Sequence, residues 1–250
     1  MTKNQVVTLA ILLGVIIVSW LYLFYQYWQM TSLPMFEMWM PPSEAAAWQW
    51  MDFWLVYTMW AVMMAAMMLP SAIPMVIVYA RICSQRYHSA YPYTLYFALA
   101  YLLTWLVFSI GMTALQWQLH GLKFLSPMMD MQHETMAAVI FLLAGTYQFT
   151  PLKNRFLHAC RTPMGFLLTE WREGSIGAFR MGLKHGGDCL GCCWAQMLLM
   201  FAVGVMSLIG MAFITLMVLV EKILPPHHQF FSKTLGILFI VWGFWLFPLE

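Results

Sequence analysis

The sequence predicts an all-α fold: a polytopic membrane helix bundle of about six transmembrane helices, with both termini on the cytoplasmic side. Three observations lead there. Hydrophobic residues fill 62% of the 250 positions and charged residues only 9%, against roughly 25% charged in soluble domains. A water-soluble globule cannot hide that much apolar surface, so lipid has to cover part of it. Six apolar stretches approach or exceed the roughly 20 residues that a helix needs to cross hydrocarbon. Lys and Arg concentrate in alternate connections, as oriented spans require. The chain reads as one integral membrane domain without an internal repeat.

The first span is expected over residues 6–28. No small-residue cleavage motif follows it, so it reads as an anchor and not as a removable signal. The next connection carries Glu37, Glu44 and Asp52 but no Lys or Arg, which suits an acidic external loop. The second span, residues 53–79, contains Pro70 and Pro74. The third covers 94–119, and the fourth, 135–149, is the shortest. A long cytoplasmic connection over 150–188 is punctuated by Pro151 and Pro163. Within it, residues 166–172 are amphipathic and are expected at the interface, with Trp171 at headgroup depth. The fifth span covers 189–220 and the sixth 234–247. Six crossings put Lys3, Arg81, Arg86, Lys153, Arg155, Arg161, Arg172, Arg180 and Lys184, nine of the twelve basic residues, on one side. That bias makes this side the cytoplasm, with the inner membrane of a bacterium as the expected location.

The run Lys184-His185-Gly186-Gly187-Asp188-Cys189-Leu190-Gly191-Cys192-Cys193-Trp194 concentrates the chemistry. Ionisable groups near hydrocarbon are costly and usually functional. If Cys189 begins the fifth helix, then Cys189, Cys192 and Cys193 stand at i, i+3 and i+4 on one face. Gly186-Gly187 would let His185 fold back onto the thiols. The positive end of the helix dipole would favour thiolate at Cys189. Cytoplasmic thiols stay reduced, and reduced thiolates with thioethers select Cu(I). Zinc is the alternative metal, although it usually draws on His as well as Cys. The alternative to ligation is close helix packing by small apolar cysteines.

The second span supplies the thioethers. Met59, Met63 and Met67 form one i, i+4 row, Met64 and Met68 the next, with Met75 further down. Pro70 and Pro74 each free a backbone carbonyl near the midplane, and such interruptions need a protein-lined setting. Met67 and Met68 are the metal-ligand candidates here, with plastic packing as the alternative. Elsewhere, Gln148 suits a hydrogen bond across helices. His158 and Cys160 offer remote ligands, with a solvated loop as the default reading, and Glu221-Lys222 reads as a surface ion pair or interfacial anchor. His227-His228, an external pair after Pro225-Pro226, could capture metal ions, with a solvated loop as the default reading.

Several of these motifs together resemble the DUF2182 family of integral membrane proteins, described as predicted metal-binding. The resemblance rests on Met63-Met64-Ala65-Ala66-Met67-Met68-Leu69-Pro70 with Pro74-Met75, and on Tyr147-Gln148 with Thr150-Pro151-Leu152-Lys153. It also rests on Cys160-Arg161-Thr162-Pro163, on His185-Gly186 with Cys189 and Gly191-Cys192-Cys193-Trp194, and on Glu221-Lys222. The family pattern implies a further cysteine four positions before Cys160, where this sequence has Phe156. That departure leaves the role of Cys160 open.

The expected function is binding of a soft metal ion, Cu(I), for trafficking or delivery. Cys189, Cys192, Cys193, His185, Met67 and Met68 are the candidate ligands. The alternatives are an accessory or assembly subunit of a membrane enzyme and a thiol oxidoreductase using Cys189 and Cys192. No hydrolase triad, phosphate loop, dinucleotide-binding glycine pattern or ion-pump motif is present, so a non-enzymatic role is favoured. The expected partners are the bilayer, membrane complex subunits and a metallochaperone. A net charge of +2 gives no reason to expect nucleic acid.

Overall fold

The computed structural model describes residues 3–32, 41–42, 45–126, 129, 131–224 and 229–247. Glu37, Glu44 and the His227-His228 pair lie outside the described residues. The described residues form an all-α bundle: α1 (Lys3–Ser32), α2 (Trp50–Arg86), α3 (Tyr91–Gly121), α4 (Glu134–Tyr147), α5 (Pro151–Arg161), α6 (Pro163–Glu170), α7 (Gly174–Val203), α8 (Leu208–Ile223) and α9 (Gln229–Trp245). Four of them, α1, α2, α3 and α7, are long and apolar enough to cross a membrane, and the bent pair α4 and α5 would make a fifth span.

Helix α2 runs unbroken through Pro70 and Pro74. Each proline lacks an N–H, so the carbonyl four residues earlier loses its helical donor. For Pro70 that carbonyl belongs to Ala66, and the indole N–H of Trp20 on α1 donates to it at 3.2 Å. A neighbouring helix thus repairs the ladder at Pro70, and α2 continues through both prolines. Asp52 lies in the first turn of α2, where its carboxylate accepts from the Gln49 N–H at 2.8 Å. The acidic-loop reading of Asp52 gives way to this cap.

Helices α2 and α3 are antiparallel. Tyr79 stacks on Phe97, the Tyr101 hydroxyl donates to the Met68 carbonyl, and the Trp60 indole donates to Gln116. Helix α7 runs parallel to α3 at close range. Gly182 faces the Phe97 carbonyl and Ala100, and Gly186 faces Thr104. Small residues at these crossings let the backbones approach.

The connection expected over 150–188 is helical almost throughout. Thr150 caps α5 through its hydroxyl and Pro151 occupies the first turn, a strong helix-start signal. The axis turns by 68° between α4 and α5. Trp171 packs at a tilt against Tyr79 and lies under the Arg86 guanidinium, and Phe166 and Leu167 are buried, so this segment packs on the bundle.

The stretch expected as one span over 189–220 is two helices. Helix α7 begins fifteen residues before Cys189. It ends at Gly204, whose φ of +101° is open to glycine but strained for other residues. Ser207 then caps α8 by accepting from the Gly210 N–H. Helix α8 turns back along α7, because its far end brings Glu221 to Gln196 and Lys222 to Cys189. Helix α9 then runs antiparallel to α4, with Gly236 against Gln148 and Gly243 against Ala138. The end of α9 therefore lies at the end of the bundle away from Arg86, Arg172 and Arg180. Six alternating crossings had placed it at the same end as those residues. The physical reason is the helix-stopping glycine at 204, which turns one long apolar run into a hairpin.

Candidate metal centre

Cys189, Cys192 and Cys193 share one face of α7, as the i, i+3, i+4 spacing requires, and all three are buried. The Cys192 and Cys193 thiols donate to the Cys189 carbonyl at 3.1 and 2.9 Å. Two expectations about their surroundings change. Gly186-Gly187 lies inside α7, so His185 does not fold back from a loop. It stands one turn before Cys189 on the same helix. The thiols also lie mid-helix, so the dipole at the N-terminus of α7 is too far away to act on them. The positive charge beside them comes from elsewhere.

Helix α5 brings a fourth thiol. The Cys160 Sγ lies 3.9 Å from the Cys192 Sγ. The approach depends on Gly191, where a Cβ would strike the Phe156 ring. Phe156 and Cys160 occupy successive turns of α5 and face α7 together. The Tyr147 hydroxyl donates to the Gly191 carbonyl at 2.5 Å and its ring meets Trp194 edge-on, which pins the α4–α5 elbow to the same turn of α7. Position 156 thus fills space against glycine, and Cys160 joins the cluster.

Helix α2 contributes a thioether. The Met68 Sδ lies 3.8 Å from the Cys193 Sγ. Met67 is equally buried, but adjacent helical residues diverge by about 100°, and the sulfur contact is made by Met68. The Tyr101 hydroxyl on α3 lies 3.1 Å from the Cys189 Sγ. The Lys222 Nζ on α8 donates to the Cys189 Sγ and to the Ser71 Oγ, both at 2.9 Å.

His185 sits in an aromatic cage formed by Phe97, Tyr101 and Phe166, with ring centroids 5.5 to 5.9 Å away. Its Nδ1 is buried and has no hydrogen-bond partner among the described residues. Asp188 turns aside and pairs with Lys184 at 3.0 Å.

Beside the thiols lies a second buried polar group. Lys153 and Glu221 form an ion pair at 2.7 Å, with both side chains essentially inaccessible. Gln148 accepts from Lys153, Ser232 and Gln196 donate to Glu221, and Arg161 donates to the Glu221 carbonyl. The surface reading of Glu221-Lys222 is thereby overturned: both side chains are buried, one against Lys153 and the other against Cys189. Sequence reasoning missed Lys222, Tyr101 and Lys153. The available signal was an ionisable residue at the edge of an apolar run.

Among the described residues, no three Cys, His, Asp or Glu side chains are already disposed to hold one metal ion. The arrangement is a sulfur-rich pocket whose thiols are occupied by hydrogen bonds. It suits an ion that needs few ligands more than one that needs a preformed tetrahedral set. An apolar cavity of about 670 Å³ between α4, α7, α8 and α9 lies apart from the cysteines, with Leu199, Phe213 and Trp242 on its walls.

Comparison with known proteins gives a family match. The family model described as PpoB2, a copper chaperone, matches residues 57–246, from the first turns of α2 to just beyond α9. No curated protein and no solved structure matches.

Proposed function

This chain belongs to the PpoB2 copper-chaperone family, and from that membership we propose that it binds Cu(I) within a cytoplasmic membrane and passes it on. The observation that carries this reading is the meeting of thiols from α5 and α7 with a thioether from α2 in one buried pocket. Cys189, Cys192 and Cys193 serve as the thiolate donors, drawn on two at a time, and Cys160 lies within reach of Cys192. Met68 supplies a weak thioether, while Met67, one position along α2 and equally buried, makes no such contact with the thiols among the described residues. His185 offers an unpartnered imidazole nitrogen one turn away. Weak, exchangeable ligands suit cargo, because the ion has to leave as well as arrive. A donor set lacking a ready triad favours Cu(I) over zinc, which prefers four ligands in a tetrahedron. Exchange with a soluble metallochaperone and handover to a membrane enzyme fit this role, and the exposed apolar faces of α1 and α9 suit lipid or neighbouring subunits.

The test is anaerobic titration of the purified, detergent-solubilised protein with Cu(I), beside Cys192→Ser and Cys193→Ser. The expected result is about one tightly held Cu(I) per wild-type chain and marked loss in both variants. Wild-type protein that holds no Cu(I) under reducing conditions would overturn the reading. Thiol oxidoreductase activity is the second reading, favoured by the 3.9 Å Cys160–Cys192 approach. A disulfide needs about 2.05 Å between sulfurs, so the same sample treated with a mild oxidant distinguishes the two by a Cys160–Cys192 crosslink.

A further inference from the structure

We infer that Lys222 is the charge-balancing, specificity-determining residue of the copper site, and this inference rests on the copper reading above. Three observations carry it. The Lys222 ammonium is buried, and its contacts are the Cys189 Sγ and the Ser71 Oγ. Among the described residues no carboxylate lies within ion-pair distance of it. The neighbouring Glu221 is fully engaged by Lys153, Gln196 and Ser232. A buried ammonium with no anionic partner is strongly disfavoured, so among the described residues the sulfur cluster is the group in contact that can balance it.

With two thiolates on the ion, the charges close for Cu(I). Cu(I) held by two thiolates carries a net charge of −1, and Lys222 brings the loaded site to zero. Zn(II) held by two thiolates is neutral, and Lys222 leaves that site at +1. Three thiolates around a divalent ion would also close with Lys222, but no such triad is disposed to hold one ion. In a low-dielectric interior these differences outweigh ordinary hydrogen-bond preferences. Lys222 need not withdraw when copper enters, because a thiolate sulfur has lone pairs for both a metal and a hydrogen bond. Nor does the lysine act on its own. The Lys153–Glu221 pair holds the end of α8 in the register that aims Lys222 at Cys189, which makes that pair a positioning device for the charge.

The test compares the full chain with Lys222→Met and Lys222→Arg in detergent. Cu(I) affinity is read by competition with a chromogenic Cu(I) chelator under reducing, anaerobic conditions, and Zn(II) affinity by competition with a zinc dye. Lys222→Met is expected to weaken Cu(I) binding by at least about tenfold while leaving Zn(II) binding unchanged or stronger. Lys222→Arg is expected to restore most of the Cu(I) affinity. If Lys222→Met does not fold, Lys222→Gln carries the same comparison, since it keeps a donor and removes the charge. Equal loss of both metals, unchanged Cu(I) affinity, or failure of Arg to rescue would each overturn the inference while leaving the copper reading intact. Failure of the wild type to bind Cu(I) would overturn both.

Discussion

Met67 and Met68 differ by one position in the chain and by about 100° around the helix. That rotation separates two side chains that composition treats alike. Met68 meets the Cys193 thiol at 3.8 Å, so Met68→Leu should weaken Cu(I) binding several-fold at little expense in packing, because the swap conserves volume. Met67→Leu should leave Cu(I) affinity nearly unchanged, as measured by the same chelator competition. The buried Lys153–Glu221 pair is the other decisive detail at this scale. Removing one member leaves an uncompensated charge in the core, so Lys153→Met should destabilise the protein by about 3–5 kcal/mol. Thermal unfolding in detergent measures this, and the double variant Lys153→Met/Glu221→Leu should recover part of the loss. Cys160 and Phe156 show how far residue types alone can be read. The thiol was visible as a metal-ligand type, but its reach to Cys192 depends on a ring lying over Gly191.

Helix α7 carries the site, and its glycines are not equivalent. A methyl at Gly182 would run into the Phe97 backbone carbonyl and the Ala100 side chain, whereas nothing lies within 4 Å of a Cβ at Gly187. Gly182→Ala should therefore force α3 and α7 apart and cost about 1–3 kcal/mol. It should also loosen the Tyr101–Cys189 contact. Gly187→Ala should be neutral or stabilising by up to about 1 kcal/mol, since alanine favours the helix more. Melting temperatures of the two variants check the contrast. The apolar periodicity of α1, α2 and α3 was legible because each is a single long run with clear ends. Helix α7 was misplaced because Arg180, Lys184 and Asp188 interrupt its hydropathy without interrupting its hydrogen bonding. The charged residues looked like a loop, yet they occupy an ordinary helical turn, with Lys184 bonded to Asp188 at i, i+4.

The bundle as a whole has one cationic end. The C-terminal end of α2, the beginning of α7, and the α5 and α6 helices gather Arg81, Arg86, Arg155, Arg172 and Arg180 there, while Lys123 follows α3 at the far end. The α8–α9 hairpin brings Lys222 and Lys233 back from the far end to the level of the cysteines. The asymmetry is therefore sharper than six alternating crossings allow, and it sets the expected orientation. Single cysteines introduced at Lys123 and at Phe247 should react with an impermeant maleimide from the same side of sealed membranes. One introduced at Arg86 should react only from the other side. Labelling of Phe247→Cys together with Arg86→Cys would restore the six-crossing layout.

Composition and the length of the apolar runs determined that the chain is an all-helical bundle with too much apolar surface for water, because neither depends on how the helices are arranged. The i, i+3, i+4 spacing likewise placed three thiols on one stripe, since helical geometry is local. Tertiary structure decided which separate elements meet that stripe. A glycine that ends α7, a bend of 68° before α5, and a buried ion pair that registers α8 bring Cys160, Met68, Tyr101 and Lys222 to it. Those encounters depend on packing between segments distant in the chain, and no local pattern encodes them.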